Sequence, residues 1–296
     1  QQVSEYNIGG YILFGRDFDG KTKDEVVDDI HSYQNEADIP LLIGVDEEGG
    51  TVVRVSSNPN LRETPFLSPK DTYADGGWDA VKQDAEEKAD LLLSLGINVN
   101  LAPVCDMTSD EYGFMYDRSF SSDVDMENRY VRTVVETSKS KKLGTVLKHF
   151  PGYGNNSDTH TGIAYDDRDY SEFENTDFKP FYQGIESGAD CILVSHNIVN
   201  CMDGEYPASL SQKVHDILRN EFKFDGVIMT DDLIMDAITD FTGDEAAAVT
   251  AAKCGNDLLC CSSVDTQYPA VLEAGQKGEI SKAQVDASVK RILKWK

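Results

Sequence analysis

Seven short apolar runs, rich in β-branched residues and separated by helical patterns, constrain this chain more than any other feature. They are YILFGR (11–16), LLIGVDEE (41–48), INVNLAPVCD (97–106), TVLKHF (145–150), CILVSHN (191–197), GVIMTDD (226–232) and DLLCCSS (257–263). Continuous rather than alternating apolar runs suit parallel strands buried on both faces. Patterns such as DEVVDDIHSYQNEA and WDAVKQDAEEKADLLLSLG lie between them, and several close on a glycine suited to a helix C-terminus: Gly96, Gly144, Gly188 and Gly255. Strand–helix alternation of this kind predicts either a β/α barrel or a doubly wound sheet.

The polar residues decide between those two. Nearly every run ends in a charged or polar cluster: Arg16, Asp46, Asp106, Lys148-His149, His196 and Asp231-Asp232. A barrel builds its site from the C-terminal ends of many strands, whereas a doubly wound sheet concentrates it at one switch point after a Gly-rich turn. No G-x-G-x-x-G follows a strand run, so the sequence reads as an α/β chain forming a (β/α)8 TIM-type barrel. Only seven runs are present where a closed barrel needs eight, so the expectation is a barrel lacking its first strand, one that would precede Gln1. No linker, repeat or low-complexity stretch divides residues 1–296, which read as one barrel domain.

Composition removes several function classes. With 27 basic against 53 acidic residues the net charge is -26, which disfavours nucleic acid and anionic membranes. No apolar run approaches the roughly 20 residues of a membrane-spanning helix, and no signal segment is evident. The six cysteines include no C-x-x-C pair, so no zinc site and no cofactor are expected. They read as buried free thiols, with Cys261 the candidate for reactivity. His31 and His215 fall in helical patterns and read as surface residues. A monomer or weak oligomer is expected.

One segment carries the chemistry. The strand TVLKHF runs into Pro151-Gly152-Tyr153-Gly154-Asn155-Asn156-Ser157, then into Asp158-Thr159-His160. Gly and Pro at that density predict a mobile surface loop. A carboxylate bonded to one imidazole nitrogen fixes the tautomer and frees the other nitrogen for proton transfer. By itself D-x-H reads as a solvated loop; beside Lys148 and His149 at a strand end it reads as catalytic. Asp231-Asp232 reads as one reactive carboxylate and one turn-stabilising carboxylate, the second role falling to Asp232. His196 reads equally as a ligand contact or a satisfied wall residue, and Asp106 as a residue shaping the barrel rim.

Taken in order, these clusters resemble glycoside hydrolase family 3, in its single-domain β-N-acetylhexosaminidase branch. IGVDEEGGTVVRV resembles I-G-V-D-Q-E-G-G-R-V-x-R, which carries sugar contacts onto Asp46 and Arg54. LGINVNLAPVCDM is similar to the L-G-[IV]-N-x-N-[LF]-A-P-V-x-D-[VM] block. Asp117-Arg118-Ser119-Phe120 matches a segment whose arginine grips substrate, here Arg118. LKHFPGYG followed by DTH resembles K-H-F-P-G-H-G followed by D-[ST]-H, and FDGVIMTDDLIMDAI matches the block whose first aspartate is the nucleophile, here Asp231. The departures are Glu47 for Gln, Thr51 for Arg, Tyr153 for His, and one residue fewer before Asp158.

The resemblance implies retaining hydrolysis of a carbohydrate bearing terminal β-linked N-acetylglucosamine. Asp231 would be the nucleophile, held ionised by Lys148 or Arg118, and His160 backed by Asp158 would be the acid/base. Asp46, Arg54, Arg118, Lys148, His149 and His196 would bind the sugar, with no metal. The competing readings are a phosphorylase of the same branch, a catalytically weak sugar-binding barrel, and a β-glucosidase of the two-domain branch.

Overall fold

The computed structural model describes residues 2–156, 158, 159 and 162–296. Its strands are β1 (Gly10–Leu13), β2 (Leu42–Val45), β3 (Val99–Asn100), β4 (Gly144–Phe150), β5 (Tyr165–Asp166), β6 (Cys191–Val194), β7 (Ile198–Val199), β8 (Val227–Asp232) and β9 (Leu258–Cys260). Seven of them join in one parallel sheet in the order β1-β2-β3-β4-β6-β8-β9, while β5 and β7 pair separately. Helices Lys23–Asn35, Pro69–Ser94, Val124–Lys141, Phe178–Glu186, Gln212–Asp216 and Asp244–Cys254 carry the chain from each strand of the sheet to the next. A parallel sheet of this order, each strand returned by a helix, is a TIM-type β/α barrel.

The apolar runs are continuous because successive residues serve two cores. Leu42, Val99, Leu101, Val146, Leu193 and Met229 pack together as one cluster. Their immediate neighbours turn the other way: Ile43 and Val45 pack with Ile30 and Leu92, and Leu147, Ile192 and Ile228 pack with Val131, Val135 and Phe181. Side chains alternate across a strand, so burying both faces leaves no polar position in the run.

Local chemistry sets the helix ends. The Thr22 hydroxyl accepts from the Glu25 N–H while the Glu25 carboxylate accepts from the Thr22 N–H, closing a reciprocal cap. Ser68 caps the helix that opens with Pro69, and that helix is broken at Gly76 and Gly77, where Gly77 takes φ +65°. The regular helical pattern in the sequence accordingly starts only at Trp78.

β1 and β9 are the two ends of the sheet, as the count of seven runs implied. Between them opens a cavity of about 550 Å³, lined by apolar residues including Ile12, Leu42, Leu101, Met229 and Leu258. The short helix Gln2–Tyr6 spans this side, with the Tyr6 ring 5.0 Å from that of Tyr268.

Some expectations need correcting. Arg16 lies in the helical turn Gly15–Phe18 beyond the end of β1. His215 is buried, donating from Nδ1 to the Ser211 carbonyl, and burial lowers its pKa. Burial pushes the Cys261 thiol up to about 12, away from reactivity, and Cys201 is the exposed cysteine.

Glu127 is fully buried; its Oε2 accepts from the Ser121 N–H and its Oε1 has no partner among the described residues. Burial, reinforced by the Asp106 charge, raises its pKa well above the ordinary 4.5. The folded state therefore holds this proton more tightly than the unfolded chain. Its contribution to stability is full below pH 4.5 and is lost as pH rises through the folded value. Glu127→Gln is expected to stabilise the protein at pH 8 by roughly 1–3 kcal/mol and to have little effect at pH 4, read by thermal unfolding at both pH values.

Candidate active site

Barrel topology delivers polar side chains to one rim, because each strand ends where its apolar run ends. Asp46, Glu47 and Glu48 follow β2, Asp106 follows β3, Lys148 and His149 close β4, His196 follows β6, and Asp231 and Asp232 close β8. Glu47 builds the β2 loop: its buried carboxylate accepts from the N–H groups of Arg54 (2.9 Å), Val55 (2.7 Å) and Ser56 (3.2 Å) and from the Ser56 hydroxyl. That loop turns Asp46 and Glu48 toward the rim.

A buried ionic cluster results. Lys148 Nζ lies 2.6 Å from Asp46 Oδ1 and 2.7 Å from Glu48 Oε1. Arg118 clasps the same Glu48 in a two-pronged pair, Nε to Oε2 at 3.0 Å and Nη2 to Oε1 at 2.8 Å. Burial works against the Glu48 carboxylate, but Lys148 and Arg118 together hold it far below the usual carboxylate range. Burial likewise disfavours the Lys148 ammonium, and the Asp46 and Glu48 charges outweigh it, raising its pKa. Lys148 and Arg118 are thus committed cations whose ionisation the site guarantees.

His149 is held as firmly. Arg118 Nη2 stands 3.3 Å from its Nε2, and a guanidinium only donates, so Nε2 accepts and Nδ1 carries the proton. Nδ1 donates to Asp106 Oδ2 at 2.7 Å, and the same oxygen accepts the His149 N–H at 2.9 Å. The other oxygen, Asp106 Oδ1, accepts the Tyr153 N–H at 2.8 Å. Asp106 therefore positions the rim rather than facing solvent, and its exposure is 0%. Tyr153 packs edge-on against His149 and Phe114 and hydrogen-bonds the Thr159 hydroxyl at 2.6 Å.

The two neighbouring aspartates differ. Asp232 is tied into the structure, Oδ1 accepting from the N–H groups of Ile234 (3.3 Å) and Ser262 (3.2 Å) and Oδ2 bonding the Ser262 hydroxyl. Asp231 is half-buried, and its Oδ1 accepts the Asp232 N–H at 2.9 Å. It stands close enough to Tyr153 that its charge, after burial itself, helps raise that phenol's pKa, while Arg118 acts on the same phenol in the opposite direction. Asp231 and Arg118 therefore both lie within electrostatic reach of the Tyr153 phenol.

The remaining sequence candidates lie differently. His196 is fully buried: Nε2 lies 3.0 Å from the Asp232 carbonyl, which only accepts, so Nδ1 accepts from the Ser209 hydroxyl at 2.7 Å. Arg54 lies on the β2 loop with its guanidinium 6.0 Å from the Phe14 ring centroid, and none of its hydrogen bonds or ion pairs among the described residues reaches the cluster. Asp158 is half-buried and immediately precedes the buried Thr159. His160 lies outside the described residues. Sequence reasoning passed over Glu48, Tyr153 and Thr159. Glu48 had a signal in its place at the end of the run LLIGVDEE, two residues after Asp46.

Comparison with known proteins agrees with the barrel fold. Residues 1–295 match the glycosyl hydrolase family 3 N terminal domain. The chain belongs to glycosyl hydrolase family 3. As a member of family 3 it is a glycoside hydrolase, and its substrate is a carbohydrate. It is 32% identical over 273 residues to a beta-hexosaminidase of Nitrosomonas eutropha, covering 90% of this chain and 77% of that protein. Among solved structures, a family 3 beta-N-acetylglucosaminidase from Paenibacillus sp. superposes with a TM-score of 0.93 at 29% identity, covering 99% of this chain. The chain spans 57% of that Paenibacillus protein. A family 3 glycosyl hydrolase from Mycobacterium smegmatis gives a TM-score of 0.90 at 27% identity, covering 100% of this chain and 90% of its own.

Proposed function

We propose that this chain is a retaining β-N-acetylglucosaminidase that removes terminal β-linked N-acetylglucosamine. In this reading the Asp231 carboxylate attacks the anomeric carbon as the glycosidic bond breaks, forming a glycosyl ester. His160, oriented by Asp158, protonates the departing oxygen and then takes a proton from the water that hydrolyses the ester. Asp46 and Lys148 hold sugar hydroxyls, and Arg118 and His149 complete the wall around the ring. His196 acts from behind, through the Asp232 carbonyl. The observation that supports the reading is that Asp231 closes β8 at the strand-end rim that also carries the Lys148–Glu48–Arg118–His149 network, with Asp231 and Arg118 both in electrostatic reach of Tyr153. The preference for a 2-acetamido sugar rests on likeness to the Paenibacillus and Nitrosomonas enzymes.

The test is kinetic. The 4-nitrophenyl β-N-acetylglucosaminide is expected to outpace the β-glucoside, with a rate indifferent to added inorganic phosphate. His160→Ala is expected to lose roughly 10²–10⁴-fold on alkyl glycosides and far less on activated aryl glycosides, which need little protonation. A faster β-glucoside, phosphate-dependent turnover, or a loss equal for all leaving groups contradicts the reading.

A further inference from the structure

Tyr153 stands outside the roles just assigned, yet it is the side chain that joins the rim to the segment carrying Asp158. Its N–H is fixed by Asp106, the same carboxylate that fixes His149. Its ring lies 5.3 Å from the His149 ring and 5.0 Å from that of Phe114, edge-on to both. Its hydroxyl bonds that of Thr159 at 2.6 Å, with Tyr153 only 1% exposed and Thr159 fully buried. Two hydroxyls placed where water does not reach have strong reason to keep each other, since separating them leaves both unpaired.

The contact closes a ring of backbone across six residues. The Asn156 N–H donates to the Tyr153 carbonyl at 2.9 Å, and Thr108 Oγ1 donates to Asn155 Oδ1 at 2.7 Å. The turn is thereby secured at its start, its middle and at Thr159. Thr159 directly follows Asp158, so fixing Thr159 restrains the backbone that carries Asp158.

We infer that Tyr153 is a positioning residue for general acid/base catalysis, its hydroxyl pinning Thr159 so that the adjoining Asp158 is held in place. A phenol suits this task better than an imidazole, because it stays neutral while the neighbouring acid/base gains and loses a proton. Burial, with the Asp231 charge added, raises its pKa further from the working range. The inference rests on the proposed function, since it concerns how that acid/base is held.

The experiment uses the full chain and a series of β-N-acetylglucosaminides with leaving groups from 2,4-dinitrophenol to simple alcohols. Tyr153→Phe keeps the ring packing and removes the hydroxyl, and Thr159→Val removes the partner with nearly unchanged shape. Each is expected to lower kcat/KM about tenfold on the poorest leaving groups and least on dinitrophenyl, and the double variant to be no worse than either single one. Asp158→Asn, measured alongside, is expected to steepen the leaving-group dependence more than either. If Asp158→Asn steepens it while Tyr153→Phe acts equally on all leaving groups, has no effect, or adds fully to Thr159→Val, the positioning role is overturned and the acid/base reading stands. If Asp158→Asn leaves the dependence flat, the acid/base reading falls and the positioning role falls with it.

Discussion

Asp231→Ala is expected to abolish hydrolysis, by roughly four orders of magnitude in kcat, while thermal unfolding stays close to that of the parent chain. The structure supplies the reason for both halves. The Asp231 carboxylate is half-buried at the end of β8, where its Oδ1 accepts the Asp232 N–H at 2.9 Å. A half-buried side chain at a strand end fills little of the core, so its removal is expected to leave the packing largely intact. Asp232→Ala should show the reverse pattern, because its carboxylate ties the turn after β8 to Ser262 and Ile234. A loss of about 1–2 kcal/mol in stability with most activity retained is the expected outcome there. Full activity in Asp231→Ala would refute the assignment.

Glu48→Ala is expected to damage stability and activity together. Its carboxylate is shared by Lys148 and Arg118, both largely buried, and its removal leaves the Arg118 guanidinium without its two-pronged partner. Stranding a buried charge costs about 3–5 kcal/mol. Arg118 also orders His149, so substrate turnover should fall by roughly 100-fold or more as the rim loses its geometry. The pH dependence has a defined sign. Lys148 and Arg118 depress the Glu48 pKa below its ordinary 4.5, so the stabilisation it provides is complete above that value. It is lost as pH falls through the lower folded value, and the gap between Glu48→Ala and the parent chain should narrow only in strong acid. A gap of equal size at every pH would assign Glu48 a packing role instead.

Much of this architecture was legible in the sequence. The seven runs correspond to the seven strands of the sheet, and the polar residues after them do gather on one rim. Strand lengths were less readable. INVNLAPVCD yields only the two-residue strand Val99–Asn100; beyond it the ladder gives way to separate backbone bonds and the single bridge between Val104 and Lys148, with Pro103 having no N–H to add. LLIGVDEE ends its strand at Val45, where Glu47 gathers the following N–H groups into a loop. Pairings between distant residues were not legible at all. Periodicity reports which face a side chain takes, not which partner meets it there. The Glu48 pairs reach across 70 residues to Arg118 and 100 to Lys148, and appear only once the sheet has curled. His215 shows the same limit, since its helical setting said nothing of the helix and loop that bury it.

The central claim is that Asp231 attacks the anomeric carbon. A fluorinated N-acetylglucosaminyl fluoride tests it most directly, because fluoride leaves readily while the ring fluorine slows hydrolysis of the ester that forms. Intact mass should rise by one fluorosugar residue, and peptide mapping should place that mass on Asp231. An adduct on Asp232 or on any other acid, or an inverted product with no adduct at any time, would contradict the account.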